Sequence, residues 1–372
     1  MSEEIVEERN NFNTFSQPAN NKVTGILKSL LAVGCNIIVL SSGLVNSRTG
    51  KIYKRKEEKY CGVSVIYCAI LDIPLLNTLS SILYMYSEIL RLHRMNKIDH
   101  IIFYNYKPEV AWPAYLAKCF LKIPITLEYE DGYSHVTELS LIKRFLFEKT
   151  EKIVSKKVDF AILVTSLMAS QISIPNVIIR GVVNTALYED CRRYNKKKNE
   201  KFTILYSGGL DEARGINVLL SAIPKLEFDC KVIVTGKGKL NFDDERVDFR
   251  GFVSYQEVKE LMMQSDVLVQ CQLEKHDFGS VSFPSKLFEY ITTGNYIISS
   301  NVSDVKVFAG DCIDYYENDD SKQLALAIER AYKNWKNNLI EISRVNSLCE
   351  KNLPENIGKK IIQMWSDEED NN

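Results

Sequence analysis

Short apolar runs alternate along this chain with longer stretches whose apolar positions recur every three or four residues. The first pattern predicts buried strands and the second amphipathic helices. In the first half, strands are expected over 36–40, 63–68, 100–103, 125–128 and 160–164, with helices over 22–33, 75–95, 110–120 and 139–155 between them. Residues 176–183 return to extended chain, and a stretch rich in Lys, Arg and Asn follows over 188–201. A second alternation then begins. Its strands are expected over 202–206, 231–234, 247–249, 267–269 and 296–299, its helices over 216–223, 255–264 and 285–293, with helical segments onward to about 365. Strands alternating with helices predict an α/β fold with parallel sheets. The polar stretch 188–201 reads as a linker between domains at 1–187 and 202–355, with a C-terminal helix and acidic tail over 356–372. Two such domains are expected to leave a ligand-binding cleft. The run 4–9 is too charged for the buried central strand that would open the first domain.

With 372 residues the chain can bury two cores. Its net charge is −1, yet residues 1–200 carry 27 Lys and Arg against 20 Asp and Glu, and the remainder carries 20 against 28. The basic first half suits a phosphate-bearing acceptor or an anionic membrane surface. Within it, 141–157 places Lys143, Arg144, Lys149, Lys152, Lys156 and Lys157 among Leu, Ile and Phe, and 51–59 reads as a basic loop. A basic amphipathic helix of this kind either lies on an anionic bilayer or packs its apolar face on a sheet. No apolar run is long enough to span a bilayer, and the start of the chain lacks a signal-peptide pattern. The expected location is the cytoplasm, with a peripheral contact on the inner face of the membrane. Nine Cys without paired spacing and four His away from them argue for reduced thiols and against a metal. No nucleic-acid partner is expected.

Three segments of the second half carry candidate chemistry. Gly208-Gly209 ends a strand, and Arg214-Gly215 opens the next helix. Glycines let the backbone approach a ligand, and an arginine there can grip a phosphate bidentately. Gly236-Lys237-Gly238 follows a second strand and adds a cation. The run from Phe283 and Pro284 to Gly294 opens a helix whose first amides, at Ser285, Lys286 and Leu287, suit a diphosphate. Glu289, one turn further in, can accept hydrogen bonds from a ribose diol. Taken singly, these are ordinary turns, a surface loop and a solvated helix residue. In the first half, Glu128, Glu130 and Asp131 crowd one strand end, which is costly unless they face water or a ligand. Asn105 ends another strand on the same side, and His135 lies close by in sequence.

The order Tyr206–Gly209, Arg214-Gly215, Val232–Gly238, 247–253, 265–267 and Pro284–Gly294 resembles the C-terminal domain of glycosyltransferase family 4 across nearly all of 175–365. The resemblance implies a GT-B fold, two Rossmann-like domains facing across a cleft, and a retaining enzyme that uses a nucleotide sugar without metal or other cofactor. It puts Arg214 on the donor diphosphate, with Gly208, Gly209, Gly236, Lys237 and the Ser285–Leu287 helix end around it, and Glu289 on the ribose. Residues 178–184 resemble the family's crossing into its second domain. Residues 123–132 resemble the segment that delivers polar groups into the cleft. Glu130 and Asp131 thus join Arg214 in the catalytic set, while Asn105 and His135 are assigned to acceptor or sugar. Asn20 and Asn21 stand where the family has a glycine-rich loop, and are expected in left-handed conformations at the same ligand.

The chain also departs from the family pattern. Gly209 sits where an arginine is often found, and Val281 falls at the first acid of the Glu-x7-Glu motif, with Glu274 or Asp277 as stand-ins. The expected function is transfer of a sugar from a nucleotide-diphosphate sugar to a hydroxyl of a glycan or lipid-linked acceptor. The alternatives are an epimerase or hydrolase acting on the donor alone, and a partner subunit that binds without transfer. A Rossmann dehydrogenase is disfavoured, because no Gly-x-Gly-x-x-Gly follows a first strand.

Overall fold

A computed structural model describes residues 5, 8–9, 17–42, 50–73, 76–130, 141–274, 283–317, 319–339 and 343–369. The chain divides into two compact units. The first holds residues 1–180 and takes back 357–372, so it is discontinuous in sequence; the second is 181–356.

In chain order the first unit contains α1 (Gln17–Ala32), β1 (Ile38–Ser41), β2 (Ile52–Tyr53), β3 (Lys56–Tyr60), β4 (Val63–Tyr67), β5 (Ile70–Leu71), α2 (Leu76–Arg94), β6 (Ile101–Tyr104) and α3 (Pro108–Leu116). It continues with β7 (Ile125–Tyr129), α4 (Leu141–Val154), β8 (Phe160–Leu163), α5 (Ser166–Gln171) and β9 (Asn176–Ile178). Strands β6-β7-β8-β9 form a four-stranded sheet, parallel throughout. Helices cover such strands on both faces, which is why β8 reads as an unbroken apolar run and β7 is buried from Ile125 to Glu128, its polar Thr126 and Glu128 included. Helix α2 buries Ser81, Met85, Ile89 and Leu92 at three- and four-residue spacing and ends on Arg91, His93 and Arg94, which complement its dipole. Helix α3 starts on Pro108, where no backbone donor is needed.

Two expectations about this unit change. The basic loop at 51–59 contains β2 and β3. Strand β3 runs antiparallel to β4, and β4 runs parallel to β1. Charge hid this strand: Lys56 pairs with Glu58 and Arg55 with Glu57, so the segment is a charged sheet edge. Asn20 and Asn21 lie inside α1, with ordinary helical backbone and not in left-handed turns. Near the start, Arg9 N–H donates to Ile5 O (3.0 Å) in a helical turn with both residues buried. Among the described residues no strand precedes α1.

The second unit contains α6 (Thr185–Arg193), β10 (Phe202–Ser207), α7 (Ile216–Ala222), β11 (Cys230–Thr235), β12 (Val247–Gly251), α8 (Tyr255–Gln264) and β13 (Val267–Gln270). After these come α9 (Ser285–Thr293), β14 (Tyr296–Ser300), α10 (Val305–Ala309), β15 (Asp314–Tyr316), α11 (Ser321–Lys336) and α12 (Ser343–Lys351). A last helix, α13 (Pro354–Glu369), starts here and ends in the first unit. The sheet is six-stranded and parallel, in the order β12-β11-β10-β13-β14-β15. Successive strand residues feed opposite cores: Ile204 and Val267 pack with α7 and α11, while Leu205 and Leu268 pack with α8, α9 and α12.

The compact units divide after Arg180, and not across 188–201. Helix α6 occupies the start of that stretch, capped by the Asn184 side chain, with Leu187 and Tyr188 buried in the second core. The remaining polar residues are ties and not a free linker. Lys196 donates to Ser265 O and to Asn295, and Asn199 donates to Gln264 O and Asp266. Among the described residues, no helix is long and apolar enough to cross a membrane.

Candidate functional site

The second unit's strand order reverses between β10 and β13, and ligands of open α/β sheets bind at the carboxyl ends of strands where this happens. A pocket opens there. Tyr206, Ser207, Gly208 and Arg214 line one side, Gln270, Cys271 and Gln272 the floor, and Pro284, Ser285, Lys286 and Tyr290 the other side.

Backbone ties shape its first wall. Gly208 N–H donates to Thr235 O (3.0 Å) and Leu210 N–H to Lys237 O (3.1 Å), so the two glycine loops are zipped together. A Cβ on Gly236 would stand 1.6 Å from Gly208 O, and one on Gly215, at φ +68°, would stand 1.8 Å from Cys271 O. Those two glycines are demanded by chain packing. Gly208 is not: a Cβ there would meet only the Tyr206 ring and hydroxyl, at 3.3 Å and beyond, so its missing side chain leaves room at the pocket wall although its N–H is spent on Thr235 O. Buried Tyr206 donates from its hydroxyl to Gly209 O (2.7 Å) and Arg214 O (3.3 Å), fixing the loop that presents Arg214. The Asp211 carboxylate caps the Arg214 amide (3.2 Å). The Arg214 side chain is exposed at the pocket rim.

Helix α9 forms the opposite wall. Its N-cap is Pro284, whose ring cannot bond the first amides. Leu287 N–H is taken by Pro284 O (3.0 Å) and its side chain is fully buried in the core. The amides facing the pocket are therefore those of Ser285 and Lys286, and Leu287 serves packing. Tyr290, one turn deeper, accepts from Ser207 N–H (3.0 Å) and donates to Ser207 O (3.3 Å), pinning α9 to β10. Glu289 pairs with Lys286 Nζ (2.8 Å), with both side chains partly exposed. Gly209, Gly236, Lys237, Leu287 and Glu289 are not among the lining residues; the Lys237 side chain points into solvent.

The floor was not expected. Gln270 Oε1 accepts from the hydroxyls of Ser299 (2.8 Å) and Ser300 (2.9 Å), and Ser300 also reaches Gln272 O (2.7 Å). A glutamine closing an otherwise apolar strand, opposite a Ser-Ser pair closing the next, was its signal in the sequence.

A second polar cluster sits at the carboxyl edge of the first unit's sheet. Tyr104 donates to Glu130 Oε2 (2.6 Å), and Lys22 from α1 pairs with Glu130 Oε1 (3.3 Å). Asn105, at φ +54° and buried, accepts from Glu130 N–H (2.8 Å) and donates its own N–H to Glu128 O (2.8 Å). Asn105 thus braces the strand end that carries Glu130. Lys22 escaped notice because it reads as one more charge on an amphipathic helix. Asp131 and His135 lie outside the described residues, as do Asp277 and Val281. Glu274 is at the edge of that gap, with its amide on Asp319 (3.0 Å).

Two parallel-sheet units of this kind are the Rossmann-like domains of a GT-B glycosyltransferase fold. Residues 188–346, most of the second unit, match the family described as glycosyl transferases group 1. No curated protein sequence matches the chain. Among solved structures, sucrose-phosphate synthase from Thermosynechococcus elongatus is similar at 14% identity and TM-score 0.68, over 94% of this chain and 93% of that one. A glycosyltransferase from Rickettsia africae is similar at 15% identity and TM-score 0.63, over 92% and 94%. Anabaena HepE in complex with UDP is similar at 13% identity and TM-score 0.59, over 82% and 86%.

Proposed function

We propose that the chain transfers a sugar from a nucleoside-diphosphate sugar to a hydroxyl of a glycan or lipid-linked acceptor, with retention of anomeric configuration. The carrying observation is the pocket at the strand-order reversal, where an exposed arginine, a glycine that leaves side-chain space and a helix end without a side-chain cap converge within the group 1 match. A similar structure was solved with UDP, which makes a uridine diphosphate the first donor to try. As the bond to the sugar breaks, negative charge grows on the leaving phosphate. Arg214, Lys286 and the Ser285 and Lys286 amides would hold that charge, and in this reading they act in place of a metal. Glu289 would exchange Lys286 for the ribose diol. Gly209, Gly236, Lys237 and Leu287 would support the pocket from behind. Glu130, with Asp131, His135, Asn105, Asn20 and Asn21 near it in sequence or structure, belongs to the acceptor side of the reading.

A peripheral membrane contact fits a lipid-linked acceptor. Helix α4 exposes Phe145, Leu146 and Ile153 beside Lys149 and Lys152, while Thr150 and Val154 face inward. Such a face suits the cytoplasmic leaflet, where anionic lipids attract lysines.

A thermal-shift screen of UDP-, GDP-, ADP- and CMP-linked sugars tests the donor, because a ligand that binds only the folded state raises its melting point. Incubation of the stabilising donor with and without glycan acceptors then separates transfer from donor-only conversion. Product that needs an acceptor supports the reading. Full conversion without one overturns it in favour of an epimerase or hydrolase.

A further inference from the structure

Two members of the first unit's polar cluster were not foreseen as ligand groups. Lys22 is buried, donates to Ile179 O (2.6 Å), and pairs with Glu130. Glu128 is 3% exposed, and its Oε1 is buried with no hydrogen-bond partner among the described residues. Burial, and after it the charge of Glu130, push the Glu128 pKa up to about 8 against the opposing pull of Lys22. A carboxyl in this setting holds its proton at neutral pH, since a second buried anion beside Glu130 would be costly. Glu130 differs: its side chain is 18% exposed, and Tyr104 and Lys22 occupy one position on each oxygen, which leaves a carboxylate with further acceptor capacity for a ligand.

We propose that Glu130, Tyr104, Lys22 and Glu128 form a subsite for an uncharged, hydroxyl-rich ligand, the neutral sugar residue of an acceptor, with Glu130 as its binding group and Glu128 as a positioning residue. The word acceptor rests on the glycosyl-transfer reading; the chemistry of the ligand does not. Among these four residues Lys22 is matched by Glu130 and Glu128 is neutral, which leaves no surplus positive charge between them; Lys107 stands over the Tyr104 ring at 6.0 Å and not on Glu130 among the described ion pairs. A phosphate or carboxylate would meet Glu130 head-on. A sugar hydroxyl would donate to that carboxylate in a short, charge-assisted bond. Glu128 keeps the cluster in this balance. The groups facing it are Glu130 beyond its own strand, Lys22 from α1 and Tyr104 from β6; losing its proton would set a second anion competing for Lys22.

The test is saturation-transfer NMR on the full chain, with methyl α-glucoside and maltose as neutral probes and glucose 6-phosphate and glucuronate as anionic ones. Folding of each variant is checked by its UDP thermal shift and melting curve. Neutral sugars are expected to bind and anionic ones not. Glu130→Gln should weaken the neutral sugars by about tenfold or more, the usual effect of removing a charged hydrogen-bond partner. Affinity for methyl α-glucoside should fall as pH rises through about 8, and Glu128→Gln should flatten that fall. Preference for glucose 6-phosphate, absence of binding by both neutral sugars, or an unchanged pH profile in Glu128→Gln overturns the proposal. If glucoside binds while no nucleotide or nucleotide sugar does, the glycosyl-transfer reading falls and the subsite stands. The opposite result removes the subsite and leaves that reading.

Discussion

Tyr290 holds the two walls of the pocket at the strand-order reversal together through a single buried hydroxyl bonded to both backbone groups of Ser207. Tyr290→Phe leaves that amide unsatisfied and should cost about 1–3 kcal/mol in a urea melt. It should also weaken nucleotide binding, because α9 loses its tie to β10. The glycines separate into two kinds by the same measurement. Gly215→Ala would put a methyl on a left-handed residue against Cys271 O, and should cost about 2 kcal/mol or more. A methyl at Gly209 meets the end of the Asp211 side chain at 2.6 Å and not backbone, so Gly209→Ala should cost less than Gly215→Ala, about 1 kcal/mol, as Asp211 shifts and its cap on the Arg214 amide weakens. Glu289→Ala should weaken donor binding by about 1–3 kcal/mol if the carboxylate leaves Lys286 for a ribose. Unchanged nucleotide affinity in a folded variant removes it from the site. At this scale the sequence pointed to segments that the structure brings around one pocket, but not always for the reason expected. Gly-Gly and Gly-x-Gly announce close approach, yet only coordinates tell whether the neighbour at Gly236 is a ligand or the backbone of Gly208.

Helix α13 is fastened to the first unit by a ring stack, Trp365 on His100 with centroids 4.2 Å apart, and by bonds from both rings to Thr126. Burial lowers the His100 pKa to about 4, so the fold favours the neutral ring. The stability this contributes is present above the unfolded value of about 6.5 and is lost as pH falls from there toward 4. Trp365 fluorescence should report loosening of α13 across that window, and His100→Gln should remove the pH dependence. Helix α4 gives a second expectation at this scale. Flotation with phosphatidylglycerol vesicles should recover the protein at low salt and release it at high salt, with phosphatidylcholine vesicles as the negative control. Serine at Phe145, Leu146 and Ile153 together should abolish recovery; undiminished flotation would remove α4 from the membrane contact. Elements buried in parallel sheets, such as β8, β10 and β13, were legible because most of their side chains are apolar on both faces. Strand β3 was not, because a sheet edge tolerates Lys-Glu-Glu-Lys. Lys22 was not, because helical periodicity does not reveal which charge turns inward.

The pocket at the strand-order reversal lies wholly within the second unit, whereas the Glu130 cluster belongs to the first. Calorimetry should therefore show nucleotide raising the transition of the second unit, by about 2.7 kcal/mol at a hundredfold excess over Kd, with the first moving less. An equal rise in both would show that binding is felt across the whole chain. The first unit's return after residue 356 sets an order of assembly. On the ribosome, residues 181–356 emerge as one continuous piece and can fold as soon as they are free. The earlier 180 residues must wait, without the helix that covers Thr126, until the later segment has been synthesised. The part translated first is then the part finished last, and a nascent chain stalled near residue 356 would hold the strand-reversal pocket already formed while the first core is still open.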